Sequence, residues 1–517
     1  MNSATQPRIE DADRFLRQRR PRDAQAICDA LLRAKPGHIE ARLVLARALQ
    51  MLSDVRGMLD QIDEALRYDG NHIGAMLMRA EALTGLGRIA DARAQLSALK
   101  TVVADDGRLL GRVAEVETQL GDHHAARHTL ETALGKAPGD ASLLYNLASA
   151  EIAIGDLGAA EGRLERLLAM SPHDYDAYYN RATLRRQTAD NNHIDELETH
   201  LAALSGNPGG EIQLCYALAK EYEDIGEYDS AFVRLSQGAA TRRQHMAYRV
   251  ADDIATMETI AATFDADYCG QCHEAGGESG PVFVLGLPRS GTTLVDRILS
   301  SHPEMASVGE INDLALAVTR LCEGAKSKEE LIVRSAKIDP AALAGAYLGS
   351  TRERCPDPGF IVDKTPLNFL YIGLIARALP QARIVHVVRD PMDVGFAMYK
   401  TLFRMGYPFS YDLDDIGRYI RAKDRLMEHW ETYLPGRIVT VKYEDLVTDQ
   451  EAETRALIAA LGLDWHPDCL EFHANSSPSA TASAAQVRQP IYTSSIGKWK
   501  AYGQHLDPLA KALEEPA

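Results

Sequence analysis

The stretch PVFVLGLPRSGTTLVDRILSSHP, residues 281–303, decides the fold of the second half of this chain. Residues 281–285 form a short apolar run rich in Val and Phe, as a buried parallel strand requires. Residues 292–300 space Leu294, Ile298 and Leu299 as a helix does. Between them lies Leu287-Pro288-Arg289-Ser290-Gly291-Thr292-Thr293. A strand, a glycine loop and a helix in that order aim several backbone N–H groups and the positive helix end at one spot, which makes an anion site. The candidate ligands are Arg289, Ser290, Gly291, Thr292 and Thr293, the threonines adding hydroxyl donors and the arginine a planar cation. A magnesium-dependent triphosphatase loop needs a lysine between its last glycine and its Ser/Thr; here Thr292 follows Gly291 directly, so that chemistry is the weaker reading.

Working outward, ARIVHVVRDPMDVGFAMYK, residues 382–400, reads as another buried strand over 383–388 that delivers Arg389 at its C-terminal end, with a helix beginning near Pro391. RIVTVKYEDLV, residues 437–447, supplies a third strand ending near Tyr443. In FIVDKTPLN a strand over 360–362 precedes Lys364, and in MASVGEIND a strand-like turn precedes Glu310. Ligands of open parallel sheets collect at such strand ends.

The first half has a different texture. A period of 34 residues places loop positions at Pro36, Gly70, Pro138 and Pro172, and tight turns at Gly87, Gly121 and Gly155. Five residues after each of these glycines stands Ala92, Ala126 or Ala160, small enough to let stacked helices approach closely. Ser53 keeps the phase early and Gly226 with Ala231 late, the last pair out of step, which predicts an insertion near residues 206–210. With LLYNLASAEIAIGDLGAAEGRLERLLAMSP, residues 143–172, as its clearest unit, the array resembles the tetratricopeptide family. That resemblance implies a concave surface for a peptide or protein partner; the alternative is a scaffold that only supports the second half.

The 517 residues exceed one hydrophobic core and fit two or three domains. A formal net charge of -17 argues against nucleic acid or an anionic membrane as partner of the whole surface, so any phosphate site is local. The N-terminus has no apolar signal core and no stretch approaches the roughly 20 apolar residues of a membrane span, so the expected location is cytoplasmic. Seven scattered cysteines suit reduced thiols. Cys269-Gly270-Gln271-Cys272-His273 spells a c-type haem attachment pattern, but export is not signalled and no distal ligand can be assigned. Zinc needs a second close Cys/His pair, and Cys322, Cys355 and Cys469 stand alone, so a reduced linker is preferred.

The PRSGTTL spelling and the strand ends that follow it resemble the sulfotransferase superfamily, and the repeat fusion brings the chain nearest to tyrosylprotein-sulfotransferase-like enzymes. The resemblance implies an all-α tetratricopeptide superhelix over residues 8–246, a helix and linker over 247–279, and an α/β P-loop-like domain with a parallel sheet over 280–517. It implies 3′-phosphoadenosine 5′-phosphosulfate as co-substrate, without a metal, and transfer of its sulfuryl group to an acceptor hydroxyl, a peptide tyrosine ahead of a sugar or small phenol. Onto this sequence it carries Glu310 as base, Lys364 with Ser483 as groups that neutralise charge on the sulfuryl oxygens, and Arg289 as donor to the leaving phosphate oxygen. Arg389 is carried over as the 3′-phosphate clamp, and Tyr443, Ser483 and Lys498 as further nucleotide contacts, the last two in SAAQVRQPIYTSSIGKWK, residues 483–500. Where the family places a serine eight residues after the clamp this chain has Ala397, with Tyr399 and Thr401 as candidate replacements. A non-catalytic repeat adaptor with a degenerate second domain is the rival reading.

Overall fold

The computed structural model describes residues 8–52, 54–272, 280–355, 359–403, 406–475, 477–478 and 486–514. The chain divides into two compact units, Met1–Ala150 and Glu151–Ala517.

The first unit is built of antiparallel helix pairs, beginning with Ile9–Arg17 and Pro21–Ala34 and continuing through Gly107–Gln119 and His123–Lys136. Inter-helix turns occur at Gly87 and Gly121, whose φ values of 72° and 82° lie in the left-handed region that side chains resist. Ala92 and Ala126 are fully buried, as the small-residue period requires. Ala41, Ala46, Ala48, Ala65 and Ala75 are buried in one cluster with Leu43, Leu49, Met58 and Ile62, so small residues let the helices approach while larger aliphatic side chains fill the space between them.

The second unit opens with further helix pairs. The turn at Gly155 repeats the left-handed geometry (φ 93°), and Ala160 is fully buried. The first helices of successive units start at Ala141, Tyr175 and Pro208 and so keep the period, and residues 185–193 form an irregular segment closed by a Thr188–Asn191 bridge. The extra length that makes Gly226 late lies not in a loop at 206–210 but in the helix Pro208–Ile225, 18 residues long against 14 for Ala141–Ile154. The chain then makes its longest hairpin, Pro208–Ile225 and Tyr228–Gln244, with Gly226 left-handed between them.

Five strands follow: β1 (Gly280–Gly286), β2 (Met305–Gly309), β3 (Phe360–Asp363), β4 (Arg383–Val388) and β5 (Ile438–Lys442). They form one parallel sheet in the order β2-β3-β1-β4-β5, with Val284 of β1 opposite Val385 of β4 and Val282 opposite Val362 of β3. Alternate side chains of β1 feed two layers, as the pleat dictates. Val282 and Val284 pack with Val295, Ile298 and Leu299 of the helix Thr292–Ser300. Phe283 and Leu285 enter a larger core that also holds Trp430, Tyr216, Leu235 and Ala239. Tyr216 and Leu235 belong to the last repeat hairpin, so that hairpin shares its core with the sheet; this explains why the compact unit begins inside the array. Among the described residues no helix is long and apolar enough to cross a membrane.

Candidate active site

Because all strand pairs are parallel, the carboxyl ends of the five strands share one edge, where doubly wound sheets bind ligands. Across that edge the sheet order sets Glu310 after β2, Lys364 after β3, the 287–291 loop after β1, Arg389 after β4 and Tyr443 after β5.

The central loop is shaped by its backbone. Gly291, with φ 107°, caps the helix Thr292–Ser300, and a Cβ there would lie 2.5 Å from Cδ2 of Tyr443. Only glycine leaves this approach open. Arg289 is left-handed at φ 67°, a conformation unfavourable for a side chain that bears a Cβ. Its carbonyl oxygen accepts from Nη1 of Arg389 at 3.0 Å, and its own Nη2 donates to Oε1 of Gln486 at 2.8 Å. Arg389 Nη2 donates to the carbonyl of Ser495 at 2.8 Å, and its guanidinium lies 4.6 Å from the centroid of the Tyr443 ring. The Tyr443 hydroxyl shares a hydrogen bond with Ser495 Oγ at 2.7 Å. One arginine thus joins β4, the glycine loop and the 486–498 segment.

These groups wall a cleft open to solvent, into which Gly291, Thr292, Thr293, Arg389, Tyr443 and Lys498 face. First-turn N–H groups of a helix lack intrahelical acceptors, so this wall of the cleft suits an anion. Tyr492 and Phe472 add aromatic surface of the kind a nucleobase stacks on. Four cations, Arg289, Arg389, Lys400 and Lys498, face two carboxylates around it. Asp393 accepts from the backbone N–H of Gly497 at 2.6 Å, while Glu223 accepts from Lys400, Lys498 and the Tyr502 hydroxyl. Burial alone would raise the Glu223 carboxyl, but the two lysines and their hydrogen bonds outweigh it and hold it down at about 2. Burial lowers Lys400 to about 8 in spite of Glu223.

Glu310 and Lys364 meet farther along the strand edge, where Lys364 Nζ donates to Glu310 Oε1. Lys364 is 1% exposed and Glu310 43%, so a buried ammonium presents a carboxylate to solvent. Beneath them Asp363 accepts from Tyr347 Oη at 3.0 Å, Thr365 Oγ1 at 2.8 Å and Asn368 Nδ2 at 3.2 Å. Burial pushes the Asp363 carboxyl up to about 7. The Thr365 hydroxyl also accepts from the N–H of Ile311 at 3.2 Å, tying the ends of β2 and β3 together.

The structure therefore brings Arg289, Ser290, Gly291, Thr292, Thr293, Arg389, Tyr443 and Lys498 to one cleft or its loop, and joins Glu310 to Lys364 beside it. Ser483 lies outside the described residues, as does His273 of the cysteine motif. Cys269 is buried, its thiol donating to the Phe264 carbonyl at 3.5 Å and pushed up to about 12 by burial, a poor setting for thioether attachment. Sequence reasoning missed Glu223, Lys400, Asp393 and Gln486. Only Asp393, in the RDPMD stretch beside Arg389, carried a local signal.

Comparison with known proteins agrees with this architecture. Residues 281–467 match a family model described as Sulfotransferase family, and residues 10–55 and 117–187 match models of the tetratricopeptide repeat. An uncharacterized protein of Aquifex aeolicus (strain VF5) is 30% identical over 338 residues, covering 63% of this chain and 44% of that protein. Protein-tyrosine sulfotransferase 2 of Gallus gallus is 22% identical over 231 residues, covering 42% and 62%. The chain thus spans less than two thirds of the length of either relative. The sulfotransferase domain of the Synechococcus PCC 7002 olefin synthase aligns with a TM-score of 0.32 at 20% identity, covering 47% of this chain and 97% of that domain.

Proposed function

We propose that this chain, in which tetratricopeptide repeats precede a sulfotransferase-family domain, transfers the sulfuryl group of 3′-phosphoadenosine 5′-phosphosulfate to an acceptor hydroxyl. The observation that carries the reading is the cleft in which the glycine loop after β1 and Arg389 after β4 are bonded to each other, so that one nucleotide with phosphates at both ends can meet both.

The first-turn N–H groups and the hydroxyls of Thr292 and Thr293 hold the 5′-phosphosulfate; Arg389, stacked on Tyr443, and its neighbours hold the 3′-phosphate; Tyr492 and Phe472 flank the purine. The acceptor oxygen attacks sulfur in line as the bond from sulfur to the phosphate oxygen breaks. The electron pair of that bond goes to the phosphate, whose new charge Arg289 stabilises. The hydroxyl proton passes to Glu310, which matters for a phenol with a pKa near 10 and is worth roughly 10²- to 10⁴-fold. As Glu310 takes the proton its hold on Lys364 weakens, and the ammonium turns to the sulfuryl oxygens. Ser483 is the proposed partner of Lys364 in that role.

A peptide tyrosine is the favoured acceptor, in line with the name of the Gallus gallus relative, and the repeats capture the peptide or protein that bears it. Ala397, where the family has a serine, favours the rival reading of a non-catalytic adaptor. Incubation with sulfur-labelled donor and a panel of tyrosine peptides, phenols and sugars separates the two. Labelled acceptor with release of adenosine 3′,5′-bisphosphate supports the enzyme; donor that binds but turns over with no acceptor supports the adaptor.

A further inference from the structure

We infer that Lys400, fixed by Glu223 of the last repeat hairpin, grips the 3′-phosphate of the nucleotide in place of the hydroxyl missing at Ala397; this rests on the donor reading above. Ala397 and Lys400 stand three residues apart at the C-terminal end of the helix Pro391–Tyr399, and both line the cleft with Arg389. A long cation at that position covers the wall where a short hydroxyl would have stood.

The two replacements suggested by sequence are otherwise engaged. Thr401 Oγ1 donates to the Ala397 carbonyl at 2.8 Å. Tyr399 is buried in the large core, with its carbonyl accepting from Tyr216 Oη at 3.2 Å. Neither residue faces the cleft, whereas Lys400 does, with its side chain 25% exposed.

Glu223 makes the arrangement specific. Its Oε1 accepts from Lys400 Nζ at 2.9 Å and from Lys498 Nζ at 2.5 Å; its Oε2 accepts from Lys400 Nζ at 3.1 Å and from Tyr502 Oη at 2.6 Å. Two ammonium groups on one carboxylate leave the cluster net positive. Arg289 adds like charge near Lys400. The excess positive charge lies on the wall of the cleft, which has room for an anion beside it. Glu223 lies in the helix Pro208–Ile225, so the repeat array contributes a positioning residue to the nucleotide site rather than serving only to capture a partner.

The test is calorimetric titration of the full chain with adenosine 3′,5′-bisphosphate and with adenosine 5′-monophosphate, for the wild type, Lys400→Met and Glu223→Gln. Charge-assisted hydrogen bonds of this kind lead us to expect Lys400→Met to bind the bisphosphate about 10- to 100-fold more weakly, with the monophosphate changed less than about threefold. Glu223→Gln should narrow the same bisphosphate-to-monophosphate ratio; a purely structural role would weaken both nucleotides alike. If Lys400→Met keeps the wild-type ratio, the inference falls while the donor reading stands. If the wild type binds neither nucleotide, both fall together.

Discussion

Nη1 of Arg389 donates to the carbonyl oxygen of Arg289 at 3.0 Å, so the cation delivered by one central strand holds the bend that follows its neighbour. Arg389→Ala removes that bond, the bond to Ser495 and the stacking on Tyr443 at once. Bisphosphate affinity should fall at least about 100-fold, given that each charge-assisted bond contributes around 1.5–3 kcal/mol. Hydrogen exchange across residues 486–498 should quicken in the same variant. Exchange unchanged from wild type would mean that the arginine does not organise that segment.

Gly291→Ala places a methyl group 2.5 Å from the Tyr443 ring at a φ of 107°. The strain and overlap should cost about 1–3 kcal/mol, visible as a lower Tm, and nucleotide binding should weaken with it. An alanine variant with wild-type affinity would show that the loop need not keep this approach.

Glu310→Gln removes a base without changing the shape of the side chain. Transfer should slow roughly 10²- to 10⁴-fold while bisphosphate affinity stays within about threefold, because Glu310 lies on the strand edge beside Lys364 and not in the cleft wall. Single-turnover measurement with saturating donor distinguishes the two effects. Equal loss of binding and transfer would assign Glu310 to the nucleotide instead.

Asp363 offers a test by pH. Its carboxyl is raised to about 7 in the folded protein, against roughly 4 in an unfolded chain. The stability it confers is therefore present in full below about pH 4 and lost as pH rises towards 7, a change of up to about 4 kcal/mol. Asp363→Asn keeps the side-chain size and should flatten that part of the Tm profile between pH 4 and 7. Identical slopes in variant and wild type would show that Asp363 ionises in the fold as it does in water.

Much of this site was legible because buried parallel strands are written as unbroken apolar runs. FIVD and RIVHVV each lead straight to a charged residue at a strand end, and the chain places Lys364 and Arg389 there. MASVG reads only as a strand-like turn because β2 lies at the sheet margin, where most of its residues are half-buried and need no apolar pattern. The break in the repeat period was visible, but its position was not: glycines at 206–210 suggested a loop, whereas Asn207 accepts from Gly210 N–H at 3.0 Å and caps a helix that starts there. Glu223 was out of reach of sequence reasoning. On a repeat helix it has the spacing of any polar residue, and only tertiary folding brings Lys400 and Lys498 to it from far along the chain.

The decisive measurement is a crystal structure of the full chain with adenosine 3′,5′-bisphosphate. The expected result is a single nucleotide in the cleft, its 5′-phosphate on the backbone of residues 290–293 and its 3′-phosphate within hydrogen-bond reach of Arg389 and Lys400. A nucleotide bound away from the carboxyl edge of the sheet, or one that touches the glycine loop while Arg389 stays turned from it, contradicts the assignment.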